Sequence, residues 1–242
     1  MAEARAAQSG QATGEAKTRN GAVEAIRVLR VARRSARHGR VTALNQMRAL
    51  LVSGPDDLRE TLRSSTVSKL VTTAARLRPA DPTTAAGATR FALRELARRV
   101  QSLEAECERL DAVLEPLVAA TAPELVAAYG VGTDTAGALL VSAGDNPERL
   151  RSEAAFAHLC GVAPIDASSG LTIRKRLNRG GDRSANHALW RIVMVRMVAD
   201  PRTRAYVARR TNEGRSKREI IRSLKRYVAR ELYRCLPRPQ PA

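Results

Sequence analysis

Aromatic side chains are scarce in this chain, with two Phe, one Trp and four Tyr in 242 residues. That is too few for a surface on which successive unpaired bases stack, so the composition speaks against a protein that reads single strands in that way. Cysteine is equally sparse. Cys107, Cys160 and Cys235 lie far apart, whereas a disulfide framework or a zinc knuckle needs closer and more numerous ligands; a reducing compartment and no metal ligands are expected. Long apolar runs are missing too. The greasiest stretch, Trp190 to Ala199, is interrupted by Arg191 and Arg196 and falls short of the roughly 20 apolar residues of a membrane helix. Met1 to Asn20 is rich in Ala, Gly, Gln and Thr without an apolar core, so neither a signal peptide nor a transit helix is expected there. Together these absences predict a cytoplasmic chain with no membrane partner.

What the chain does have is positive charge. It carries 42 Lys+Arg against 24 Asp+Glu, a net +18, and a pI near 11.2. Residues 171–242 hold 20 Lys+Arg and 5 Asp+Glu, so +15 of the excess sits in the C-terminal third. A basic field of that size points to a polyanion, with nucleic acid ahead of a membrane surface, although a high-GC genome also favours Arg over Lys. The 44% hydrophobic content is enough for a packed core.

Punctuation divides the chain into a disordered leader (1–20), a long-helix region (21–120), a compact C-terminal domain (121–236) and a short tail (237–242). The first helix is expected from about Gly21 to Ser53, where Gly54-Pro55 stops it. Arg27, Arg30, Arg34, Arg37 and Arg40 step by three or four along one side of it. That row reads equally well as a ridge tracking phosphates and as the solvated face of a core helix. A helix or helix pair covers about Asp56 to Arg76, and Asp81 is a candidate N-cap after the Arg78-Pro79 break. Then Leu93, Leu96, Val100, Leu103, Cys107, Leu110, Leu114 and Leu117 alternate spacings of three and four without a slip. A seven-residue repeat of that length makes a coiled-coil seam. Leu96, Val100, Leu103, Leu110 and Leu114 are therefore candidate oligomerisation residues, with an intramolecular hairpin against the first helix as the other reading.

Beyond Thr121 the pattern changes to short helices. Leu125 to Leu140 reads as helix, Gly130-Val131-Gly132 turn, helix, which is helix-hairpin-helix-like, and Gly130, Gly132 and Thr133 would offer backbone N–H groups to a phosphate. Asp145 before Pro147 is a further candidate cap. His158 has no acidic or cysteine partner at ligand spacing and reads as a packed or partly exposed side chain. Ser168-Ser169-Gly170 forms a turn before a short basic β segment, Leu171 to Leu177, and a second glycine turn at Gly180-Gly181. Arg174, Lys175, Arg176, Arg179 and Arg183 crowd into ten residues as a phosphate-binding cluster. A serine beside guanidinium groups has the parts for phosphodiester attack, but Ser-Ser-Gly by itself is an ordinary turn. Asp182 or Ser184 caps a helix whose Ala185, Leu189, Ile192 and Val193 face inward. Asp200-Pro201 starts another, and Ser216 to Glu219 is a capping box opening the last helix. On that helix Arg218, Arg222, Arg226 and Arg230 repeat every four residues, and like charges so stacked repel unless a polyanion neutralises them. The predicted fold is mainly α: long helices with a coiled-coil segment, then a compact helical C-terminal domain.

In order, Gly130-Val131-Gly132, Leu139-Leu140, Gly144-Asp145, Phe156 to Pro164, Ser168-Ser169-Gly170 and Leu177 to Arg183 resemble the C-terminal domain of the insertion-sequence one-ten (one-sixteen, nine-oh-two) family of transposases. The resemblance extends over about residues 20 to 236. It implies DNA cleavage and strand exchange by a RuvC-like domain with four acidic residues and a serine in the C-terminal domain, guided by a structured noncoding RNA. The attacking serine precedes the turn glycine and so falls on Ser169, with Ser168 as the alternative. Mg²⁺ is implied only for the RuvC-like domain, of which this chain shows no counterpart before Gly21. The resemblance therefore makes the chain the C-terminal portion of a transposase, DNA-binding and nucleoid-associated, and not autonomous.

Overall fold

The computed structural model describes residues 17, 19–62, 66–78, 80–146, 150–167 and 175–237. These hold ten helices and one two-stranded sheet, so the fold is mainly α. The polar leader up to residue 16, Ser168, Ser169, Gly170, Arg174 and the end of the tail lie outside the described residues. The chain divides into two compact units, Val28–Leu114 and, with the residues up to Arg27, Glu115–Ala242. None of the described helices is long and apolar enough to cross a membrane.

The Val28–Leu114 unit is built by α1 (Ala22–Ser53), α2 (Asp56–Leu62), α3 (Val67–Ala75) and α4 (Ala85–Thr121). Its core joins Leu44, Met47 and Leu51 of α1 to Leu58, Leu62, Leu70 and Val71 of the short helices and to Leu93, Ala97 and Val100 of α4. Ion pairs fix the direction of the long helices. Arg33 meets Asp111 and Arg40 Nε donates to Glu104 at 2.7 Å, so α1 ascends as α4 descends. Leu103 lies against α1 at Gly39, where a Cβ would stand 3.3 Å from its Cδ1. The heptad leucines are thus engaged within the chain: Leu93, Val100 and Leu114 are buried, Leu96 packs partly buried against the core, and Leu103 and Leu110 are half-buried. The hairpin alternative describes this arrangement.

The basic row on α1 is divided by these contacts. Arg27 is held by Glu24 through two 2.7 Å bonds and Arg40 by Glu104, whereas Arg34 and Arg37 are exposed. Asp81 does not cap α4. A capping side chain reaches only the N2 and N3 amides, and α4 begins at Ala85, so the Asp81 carboxylate instead accepts from Thr83 N at 2.9 Å. Thr84 Oγ1 accepts the Gly87 N–H at 3.1 Å and serves as the cap.

The Glu115–Ala242 unit contains α5 (Pro123–Ala127), α6 (Thr133–Ala143), α7 (Glu153–Leu159), β1 (Ile165–Asp166), β2 (Lys175–Arg176), α8 (Arg183–Ala199), α9 (Pro201–Asn212) and α10 (Lys217–Arg234). Helix α8 is central, packed against α6, α9 and α10, and α10 also covers α7. Ala185, Leu189, Ile192 and Val193 are all buried, as the 3.6-residue period requires. Asp182 caps α8 by accepting from Ser184 N at 2.7 Å and Ala185 N at 3.1 Å, and its second oxygen accepts the Ser142 hydroxyl at 2.9 Å. The Ser216 and Glu219 capping box is formed. The Asp145 carboxylate accepts Val23 N at 2.9 Å, capping α1 from more than a hundred residues away, because an anion near exposed N–H groups at a helix start is favoured wherever it originates. Residues 147–149, where a helix capped by Asp145 is expected to begin, lie outside the described residues.

Among the described residues of this unit, Arg196 is the most deeply buried charged side chain. Its guanidinium donates to the Tyr129 carbonyl at 2.8 Å and to both Glu231 oxygens at 2.7 and 2.8 Å, tying α8 to the Gly130 turn and to α10. Glu231 is half-exposed and regains water when released, so Arg196→Met is expected to cost about 2 kcal/mol, below the range for a fully buried pair. Thermal unfolding should then fall by roughly 4–8 °C; a shift under a degree would mean that the clamp carries no stability.

Candidate nucleic-acid interface

The strands β1 and β2 pair antiparallel, Ile165 opposite Arg176 and Asp166 opposite Lys175. Lys175 also forms an ion pair with Asp166. The chain then turns through Asn178, whose Oδ1 accepts Gly180 N at 3.0 Å and whose amide donates to the His158 carbonyl at 3.0 Å. This turn sits on the end of α7. Gly161, with φ +65°, and Gly181 meet backbone to backbone, so that a Cβ on Gly181 would lie 2.2 Å from Gly161 N. The contact lets Asp182 N donate to the Leu159 carbonyl at 2.7 Å and brings the basic segment down beside α10.

Between them lies a groove of about 440 Å³. Lys175, Arg176 and Arg179 line it from the β segment, Arg222, Lys225 and Arg226 from α10, and Gly161 to Pro164 complete the lining. Two clusters more than forty residues apart in sequence thus become one cationic surface. The last-helix row does not enter it whole. Arg230, with Arg234, is held by Glu153 of α7 at 3.0 and 2.9 Å, which draws the Glu153 carboxyl below its usual range. Arg222 and Arg226 line the groove, and Arg218 is exposed at the start of α10.

Lys225 is the groove residue that reading the sequence missed. It stands one position away from the four-residue arginine period, and its stem is half-buried while its ammonium donates to Asn186 Oδ1 at 2.8 Å. Asn186 is itself aimed by donating to the Cys160 and Gly161 carbonyls at 2.8 and 3.3 Å. Burial first, and then the neighbouring Arg222 charge, lower the Lys225 pKa from its ordinary value. An ammonium so disfavoured gains most when an anion arrives.

The Gly130-Val131-Gly132 turn does not line this groove. Gly130 has φ +78°, the left-handed conformation that glycine adopts without strain. The Gly132 N–H is engaged by Thr135 Oγ1 at 3.0 Å, and Asp134 in the next turn pairs with Arg191 at 2.5 Å. Thr133 opens α6. Arg183 stands at the start of α8, exposed beside the groove in an adjoining depression. Ser168, Ser169 and Arg174 fall outside the described residues. Among the described residues there is no group of three or more His, Cys, Asp and Glu that could hold a metal ion.

Cys160, beneath the groove, is fully buried. Burial, and secondarily the Asp182 charge, push its thiol up to about 12, and a protonated, inaccessible thiol is a poor nucleophile. At pH 8 a disulfide reagent should therefore label at most Cys107 and Cys235 in the folded chain and all three thiols in denaturant. Fast labelling of Cys160 in the native state would contradict this packing.

The helical unit that bears the two-strand basic segment and the cationic groove contains a stretch similar to a known transposase family. Residues 123–208 match the model of the Transposase IS116/IS110/IS902 family. Over 134 residues the chain is 32% identical to the insertion element IS110 uncharacterized 43.6 kDa protein of Streptomyces coelicolor. That match covers 54% of this chain and 33% of the relative, so the chain matches about a third of that protein's length.

Proposed function

We propose that the C-terminal region binds DNA along the cationic groove and serves insertion-sequence transposition through attack of a serine hydroxyl on a phosphodiester, with Ser169 as nucleophile and Ser168 as the alternative. The observation that carries the reading is the convergence of Lys175, Arg176 and Arg179 with Arg222, Lys225 and Arg226 on one groove. Only three positions along the chain separate Ser169 from Asp166, whose cross-strand partner Lys175 lines that groove. In the attack, Ser Oγ forms a bond to phosphorus, the P–O bond to the departing strand breaks, and the serine proton ends on the released hydroxyl. The guanidinium groups stabilise charge on the non-bridging oxygens. The acidic, Mg²⁺-holding domain that the resemblance implies, a guide RNA and self-association through half-buried Leu103 and Leu110 belong to the same proposal for the whole machinery.

The test is a titration of labelled duplex DNA across salt, followed by denaturing electrophoresis. Five or six neutralised phosphates give a log–log salt slope of about −4.5 to −5.5. A slope flatter than about −1 would sink the groove. A protein–DNA adduct that resists denaturant should vanish on Ser169→Ala; its persistence in both Ser169→Ala and Ser168→Ala would remove the serine assignment.

A further inference from the structure

Beside the groove, and sharing Gly161, Asn178, Arg179, Asn186 and Lys225 with it, lies a second depression of about 420 Å³. Its remaining wall is the exposed face of α8, where Arg183, His187 and Trp190 follow at spacings of four and three and so stand in one row. Trp190 is 41% exposed, and its ring is stacked with that of His187 at 5.5 Å between centroids and 29° between planes. The indole thus keeps about two fifths of its surface in solvent, beside the three cationic side chains Arg179, Arg183 and Lys225.

The other exposed aromatics differ. Tyr227 meets the half-buried Tyr206 ring edge-on, which Arg209 covers at 5.4 Å; Phe91 lies under Arg94 at 5.5 Å; and neither Phe91 nor Tyr129 lines either hollow. Only the Trp190–His187 pair combines, among the described residues, a stacked ring surface, a concave site of ligand size and positive charge beside it. Duplex bases present only their edges in the grooves, so a ring face of this kind fits a base already out of its stack. The scarcity of aromatics excludes a long stacking surface but leaves room for one platform.

We propose that Trp190 and His187 form a stacking platform for a single unpaired base of a DNA strand whose adjacent phosphate is held by Arg179, Arg183 and Lys225. The platform rests on the proposed DNA binding and assigns it a second, single-stranded element next to the groove.

Trp190 is the only tryptophan in the chain, so its fluorescence reports this site alone. The full chain is titrated with a thymidine dodecamer, an abasic deoxyribose-phosphate dodecamer, a matched duplex and a uridine RNA dodecamer, each carrying an end label for anisotropy. The thymidine strand should quench Trp190 by half or more, and the abasic strand, though bound, by less than about a tenth. Trp190→Ala should weaken the thymidine strand about ten-fold and leave the abasic strand unchanged, while Trp190→Phe stays within about three-fold. Binding of the thymidine strand with unchanged fluorescence overturns the platform while leaving groove binding intact. Equally deep quenching by duplex overturns the preference for an unpaired base, and tighter binding of the RNA strand overturns the choice of DNA. Failure to bind any of the four overturns the proposed function and the platform with it.

Discussion

Gly181→Ala should lower the stability of the C-terminal unit by about 3–4 kcal/mol, enough to remove much of the margin by which an ordinary domain stays folded. The added methyl would lie 2.2 Å from Gly161 N, 2.3 Å from Gly161 Cα and 3.0 Å from the Cys160 carbonyl carbon, all backbone atoms that no rotamer change can move. Relief requires parting the turn from α7. That movement stretches the Asp182 to Leu159 hydrogen bond and the Asn186 bonds to the Cys160 and Gly161 carbonyls, and it carries the β segment away from α10. Gly180→Ala is the control, because its nearest atom, Asn178 Oδ1, is an ordinary 3.5 Å away; it should stay within about 1 kcal/mol of the parent. Equal melting curves for the two variants would show that the tight contact is not part of the folded chain in solution.

Exchanging Arg222 and Arg226 together for glutamate should weaken duplex binding about a hundred-fold near 0.1 M salt and flatten the log–log salt slope by about 2. Both are exposed, so circular dichroism should be unchanged. The same exchange at Arg34 and Arg37 on α1 alters the net charge equally and leaves the groove whole. Its effect should stay below about ten-fold, as expected for long-range attraction alone. If the two double variants lose affinity equally, binding follows total charge and the groove has no special part in it.

Local signals in the sequence suffice where both halves of an interaction lie within one turn of helix. The Ser216 and Glu219 box, the Asp182 cap and the inward face Ala185, Leu189, Ile192 and Val193 are of this kind. The heptad on α4 was also legible as periodicity, but periodicity states that a stripe must be covered and not by what. The covering helix was settled by Arg33–Asp111 and Arg40–Glu104, pairs 78 and 64 residues apart. Asp145 shows the same limit: its local setting points to a cap, but nothing local points to Val23 N, the amide whose bond it accepts from more than a hundred residues away. At the candidate site, Arg176, Arg179, Arg222 and Arg226 were named from charge density, yet nothing local joined the two groups. Their meeting depends on Gly181 lying against Gly161, a close approach of two backbones without a sequence period. Lys225 escaped because its importance comes from Asn186, 39 residues earlier.

The Arg196 clamp has a kinetic consequence. Its partners are Tyr129, 67 residues before it, and Glu231, 35 residues after it, so two long loops must close before all its bonds can form. Loop closure costs entropy that only later contacts recover, which places such a three-way junction late on the folding route. Stability lost at a late-forming contact emerges mainly as faster unfolding, with the folding rate little changed. The clamp therefore acts as a latch on the lifetime of the folded unit, and its strength bears on how long the groove keeps its shape once an extended polyanion begins to pull on it.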